Sequence, residues 1–121
     1  MANANAAIYV SWGGAIPGRE AKSLEVFMHA VEFYGRLEKE GKIAALRTYV
    51  ATTGKSQFSG FMIIEGEVAQ LRTLVDSDEY KSILVKARHL VEGVDVVHCV
   101  TGAEVLKSIE QLVMARKQLG I

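Results

Sequence analysis

Apolar and polar positions change their spacing several times along this 121-residue chain, and each change marks an element. Residues 7–12, AIYVSW, are β-branched and aromatic and predict a strand. The Gly-Gly and Pro-Gly pairs of the following SWGGAIPGRE end it. Over residues 20–40 the spacing turns helical. Val26, Phe27, Ala30, Val31, Phe33, Tyr34 and Leu37 make a broad apolar face, and Glu25, His29, Glu32, Arg36 and Lys39 line the opposite stripe. Gly41 supplies a natural stop.

Residues 43–52 and 57–66 predict two strands joined by the turn-rich TTGKS, hence a β-hairpin. A pivot near Gly54 puts Arg47, Tyr49, Ser59, Phe61, Ile63 and Glu65 on one face. Leu46, Val50, Phe58, Met62 and Ile64 then share the other, which is apolar and suited to lie under helices. A helix begins near Glu67, and DSDE at 76–79 breaks and recaps it with Ser77 or Asp76 as N-cap. Tyr80, Ile83, Leu84, Ala87, Leu90 and Val91 continue at helical spacing until Gly93. Residues 94–101 predict a fourth strand and 103–120 a last amphipathic helix, with Val105, Ile109, Leu112 and Val113 along one side.

The order is β-α-β-β-α-β plus one helix, with no linker to divide it. It predicts an α+β chain folded as one domain over 1–121, its core at about 7–101 and the final helix at about 103–120. The simplest solution is the ferredoxin-like arrangement, a four-stranded antiparallel sheet with two helices on one face. Right-handed crossovers place strands 1 and 3 in its centre. The uncovered face would carry Tyr49, Phe61 and Ile63 beside Arg47 and Glu65, too much apolar surface to leave wet without a reason.

The element order, the helix lengths, GFMIIEG leading into the second helix and DSDEY recapping it resemble the dimeric α/β-barrel superfamily over about residues 7–101. In that superfamily two ferredoxin-like subunits pack their sheets into a barrel. The resemblance implies a homodimer formed through the sheet faces, with the C-terminal helix as an addition that caps the barrel or extends the dimer contact. It also implies a range of roles: cofactor-independent oxygenases, haem-degrading enzymes, small-molecule lyases and isomerases, and stress-responsive proteins.

Composition narrows the partners. Half the residues are hydrophobic, 23% are charged, and the formal net charge is zero, so nothing points to nucleic acid. Near-zero charge does little to hold copies apart. The apolar runs fall far short of the roughly 20 residues of a membrane span, and MANANAAIYV lacks the pattern of a signal peptide. One cysteine, Cys99, allows no disulfide within the chain, and a cytoplasmic setting is expected.

Four places carry candidate chemistry. SWGGAIPGRE has the glycine spacing of a phosphate loop, but Arg19 and Glu20 stand where Lys and Ser or Thr are needed, and Pro17 removes an N–H donor. It reads as a strand-to-helix connection whose Trp12 helps close a pocket. His29 with Glu25 and Glu32 shares one helical stripe with Arg36 and Lys39, which is a solvated face rather than a metal site. His98 and Cys99 point to opposite faces of their strand and form no Cys–His pair. His98 is the one candidate acid or base, and Cys99 reads as a small buried hydrophobe. The best constellation is Arg47, Tyr49 and Glu65 on the open sheet face with Tyr9 or Trp12 from the first strand. Arg47 suits a carboxylate or phenolate and Tyr49 a hydrogen bond, and the alternative is a plain dimer interface in which Arg47 pairs with Glu65. No metal and no cofactor are expected.

Two functions fit these residues. The first is a homodimer that binds a small, partly apolar ligand in the barrel or between sheet and helices. The second is a cofactor-independent oxygenase or isomerase in which His98, Arg47 and Tyr49 act on a small aromatic or keto compound. The absence of a clustered acid–base pair favours the first.

Overall fold

The computed structural model describes residues 4–53 and 59–121. Its elements are β1 (Ala6–Trp12), α1 (Glu20–Lys39), β2 (Ala45–Val50), β3 (Gly60–Gly66), α2 (Val68–Asp76), α3 (Asp78–Leu90), β4 (Asp95–Val100) and α4 (Ala103–Leu119). The sheet is antiparallel with order β2-β3-β1-β4, so β1 and β3 are central, as the right-handed crossovers require. The expected break between α2 and α3 is present. The Ser77 side chain caps α3 by accepting the Tyr80 N–H at 3.3 Å, with Asp78 and Glu79 in the favourable first turn. The hairpin turn near Gly54, and Phe58 with it, lie outside the described residues.

Register assigns every strand side chain to a face, because directly paired residues share one. Ile8 pairs with Ile64 and His98, and Val10 with Met62 and Val96. Those positions look toward the helices, and Ile8, Val10, Met62 and Ile64 are buried there against Ala30, Phe33 and Tyr34 of α1, Leu71 and Leu74 of α2, and Tyr80, Ile83 and Leu84 of α3. The apolar stripe of α1 therefore meets the apolar strand face that its spacing anticipates. Tyr9 pairs with Ile63 and Val97, Ile63 with Arg47, and Phe61 with Tyr49, and these occupy the other face. No helix among the described residues is long and apolar enough to cross a membrane.

Two expectations need correction. Cys99 is exposed, not a buried hydrophobe, because β4 is an edge strand and residue 99 pairs with Ala7 on the uncovered face. Trp12 does not join Tyr9. Three residues apart on a strand, the two point to opposite faces, and Trp12 lies on the helix side with its ring 5.7 Å from that of Phe27.

Candidate functional site

The connection from β1 to α1 is engaged throughout by the end of α3. Gly13 N–H donates to the Glu92 carbonyl at 2.6 Å and Ile16 N–H to the Leu90 carbonyl at 2.9 Å, while the Gly14 carbonyl accepts from Glu92 N–H at 3.0 Å. Arg19 Nη1 donates to the His89 carbonyl at 2.6 Å, in the last turn of α3 where a cation is favoured. Gly18, at φ 86°, gives its N–H to the Glu20 carboxylate at 2.7 Å. The Gly13, Ile16, Gly18 and Arg19 N–H donors are already used, and the segment is a structural tie between β1, α1 and α3.

On the uncovered sheet face, Arg47, Tyr49, Glu65 and Tyr9 are brought together. Arg47 Nε donates to Glu65 Oε1 at 2.7 Å, and this hydrogen bond, with the carboxylate's charge, raises the guanidinium pKa above its ordinary value. Beside the pair, the Tyr49 ring stacks on Phe61 at 4.7 Å, and Tyr9 meets Phe61 at 5.4 Å. The result is an aromatic and aliphatic strip with its ion pair satisfied within one chain.

His98 faces the other way. It borders a groove of about 280 Å³ between β4 and α2, beside Arg72, Val75 and Asp76. Its ring makes no hydrogen bond with any described residue. One chain therefore does not gather His98, Arg47 and Tyr49 at a common point, since the sheet separates the first from the other two. His29 and Arg36 reach across from α1 to Glu79 of α3, at 3.3 and 3.5 Å, and clamp the two helices. Among the described residues no group of three His, Cys, Asp or Glu side chains is arranged to hold a metal ion.

Between the sheet and the helices α1 and α3 lies a cavity of about 340 Å³. Trp12 and Phe27 meet at one wall, and Leu24, Met62 and Leu84 contribute to the rest. A second hollow of about 530 Å³ lies between α1 and α2, but its polar groups are engaged: Gln70 donates to the Gly41 carbonyl and Glu79 holds Arg36 and His29. The first cavity differs in one respect. Tyr34 of α1 borders it at 2% exposure, and its phenol has no hydrogen-bond partner among the described residues. Burial, helped by the nearby Tyr80 phenol, holds the Tyr34 pKa well above the ordinary tyrosine value. The phenol is thus held neutral, and its oxygen is not sealed in the interior, since no buried side-chain oxygen or nitrogen among the described residues lacks a partner. The Ser23 hydroxyl at the same cavity already donates to the Glu20 carbonyl at 2.8 Å.

Sequence reasoning placed Tyr34 in the apolar stripe of α1 without separating it from its neighbours. The available signal was the hydroxyl itself, since a Tyr in an otherwise Val, Phe and Ala stripe must satisfy an O–H in the interior or leave it unused.

No protein-family model matches the chain, and no curated protein matches it. Solved structures do match. A Bacteroides fragilis protein described as dimeric, of unknown function and of ferredoxin-like fold superimposes with a TM-score of 0.59 at 9% identity, over 84% of this chain and 100% of that one. The fold is ferredoxin-like. A dabb family protein from Mesorhizobium loti, also described as ferredoxin-like, gives 0.61 at 8% identity over 82% and 99% of the two chains. The hydroxynitrile lyase of Passiflora edulis gives 0.61 at 9% identity over 84% and 97%. Identities this low carry the ferredoxin-like architecture across and nothing of these proteins' chemistry.

Proposed function

We propose that the protein is a homodimer that binds a small, largely apolar molecule carrying one hydrogen-bond acceptor, in the cavity between the sheet and helices α1 and α3. The observation that carries this reading is a cavity walled by apolar side chains apart from Ser23, Ser59 and Tyr34, whose phenol makes no hydrogen bond with a described residue. A cavity near 340 Å³ lies at the lower end of the range of about 300–1,000 Å³ that suits small-molecule ligands. A carbonyl, ether or phenolic oxygen on the ligand would accept the Tyr34 proton, while Trp12 and Phe27 suit a flat apolar body.

Binding is favoured over acid–base turnover because the described residues lining the cavity include no His, Asp, Glu, Lys, Arg or Cys. A neutral phenol donates, but nothing beside it takes up a proton. Dimerisation is supported by the partly exposed strip of Tyr9, Tyr49, Phe61, Ile63 and Val97 and by the Arg47–Glu65 pair, which needs no outside partner. The structural neighbour from Bacteroides fragilis is itself described as dimeric.

Native mass spectrometry of freshly purified wild type and Tyr34→Phe tests both halves. The expected result is a dimer with an added organic mass that is lost or released more easily in Tyr34→Phe. A bound mass retained equally by the variant would remove Tyr34 from recognition. A monomer would overturn the sheet-face dimer.

A further inference from the structure

Helix α4 has the pattern of a packed helix and the surroundings of an unpacked one. Val105, Ile109, Leu112 and Leu119 recur at three- and four-residue spacing, with Arg116 completing the series and Leu106 and Val113 alongside. At 100° per residue these apolar side chains cover roughly 140° of the helix circumference. Yet none of the 17 residues is buried, and Leu106, Leu112 and Leu119 are 64%, 66% and 71% exposed. A lone helix of about 15 residues is marginal in water, and most helical stability in proteins comes from packing an apolar face. Among the described residues no surface buries this stripe.

We infer that the apolar stripe of α4 packs on a second copy of this chain, so that each protomer clasps the other with its C-terminal helix. This rests on the dimer proposed above and adds a contact to it. Area decides the occupant. Four strands about 4.8 Å apart and six or seven residues long present a footprint of roughly 400 Å². That is about half of the ~800 Å² per partner that a stable interface buries. Six large apolar side chains on α4 offer on the order of 500 Å² more. Sheet face and stripe together reach the standard size.

The two surfaces are also joined directly through β4. α4 leaves β4, an edge strand whose Val97 is on the open face, after a turn at Gly102 with φ 61°. The turn is pinned where Thr101 N–H donates to the Asn5 carbonyl at 3.0 Å. At about 1.5 Å per residue, α4 is long enough to cross the roughly 19 Å width of a four-stranded sheet.

Sedimentation equilibrium of the full chain tests this, using wild type, Leu106→Glu/Leu112→Glu, Met114→Glu on the polar side of α4, and Ile63→Glu on the sheet face. The expected result is a wild-type dimer whose Kd rises at least 100-fold in the double variant and stays unchanged in Met114→Glu. Circular dichroism should show the double variant losing helix as it dissociates, with the rest of the fold retained. A double variant that dimerises like wild type overturns the α4 contact, and if Ile63→Glu then dissociates, the sheet-face dimer survives alone. Dissociation of the double variant with Ile63→Glu still dimeric upholds α4 and overturns the sheet-face contact. A wild-type monomer at hundreds of micromolar overturns both.

Discussion

The two faces of the sheet are built from the same four strands and obey the same period of two, yet they solve different problems. On the helix side, Ile8, Val10, Met62 and Ile64 are buried by α1, α2 and α3. On the open side, Tyr9, Tyr49, Phe61 and Ile63 keep some exposure, and their polar neighbours Arg47 and Glu65 satisfy each other. Apolar content alone does not tell the faces apart. What differs is whether the same chain supplies a cover. A face covered by its own helices closes the core of one chain, and the one left uncovered but apolar is where the proposed dimer would form.

The contrast is sharpest at adjacent residues of β3. Ile64 is fully buried and Ile63 is half-buried on the other face. Ile64→Ala should cost about 2–5 kcal/mol by leaving a cavity, whereas Ile63→Ala should cost under about 1 kcal/mol in the isolated monomer. Urea denaturation at concentrations where the protein is monomeric measures both. Equal losses would mean that the open face is covered within one chain.

Gly60→Ala comes next. A Cβ there would lie 2.6 Å from the Tyr49 carbonyl and 2.8 Å from Trp12 Cζ2. The carbonyl is backbone and cannot swing aside, so overpacking of about 1–3 kcal/mol is expected, along with displacement of Trp12 from the cavity wall. Trp12 fluorescence would report the second effect, and an unchanged spectrum with unchanged stability would show that the strand end yields freely.

The smallest effect belongs to Tyr34. Burial raises its pKa above that of the unfolded chain, so the folded protein holds the phenolic proton more tightly. Its contribution is complete below the ordinary value of 10.0 and is lost as pH climbs above it. Tyr34→Phe should leave stability near neutrality little changed, because no protein hydrogen bond is broken, and should flatten the fall in stability above pH 10. Tyr80, also raised by burial, keeps part of that slope in the variant. An unaltered alkaline slope would show that the Tyr34 phenol titrates alike in the folded and unfolded chain.

Most of the fold was legible because its signals are local. Gly41, Ser77 and Gly93 mark ends and caps through backbone geometry, and the Met62 and Ile64 alternation marks a buried face. The open-face grouping of Arg47, Tyr49, Phe61, Ile63 and Glu65 was equally legible, since only parity within a hairpin is needed. Joining Trp12 to it failed by the same parity. The burial of Cys99 failed because that reading followed residue type, although placing strands 1 and 3 in the centre already made strand 4 an edge.

By itself the sequence determined the element order, the faces of each strand and helix, and hence the ferredoxin-like architecture, since periodicity and turn chemistry act over a few residues. Tertiary structure alone decided that Arg19 and the glycine loop fasten to the end of α3, that His98 is separated by the sheet from Arg47 and Tyr49, and that Tyr34 borders a largely apolar cavity. It also left every residue of α4 unburied among the described residues. These outcomes depend on which distant segments meet, and hydrogen-bond partners and burial are properties of that meeting.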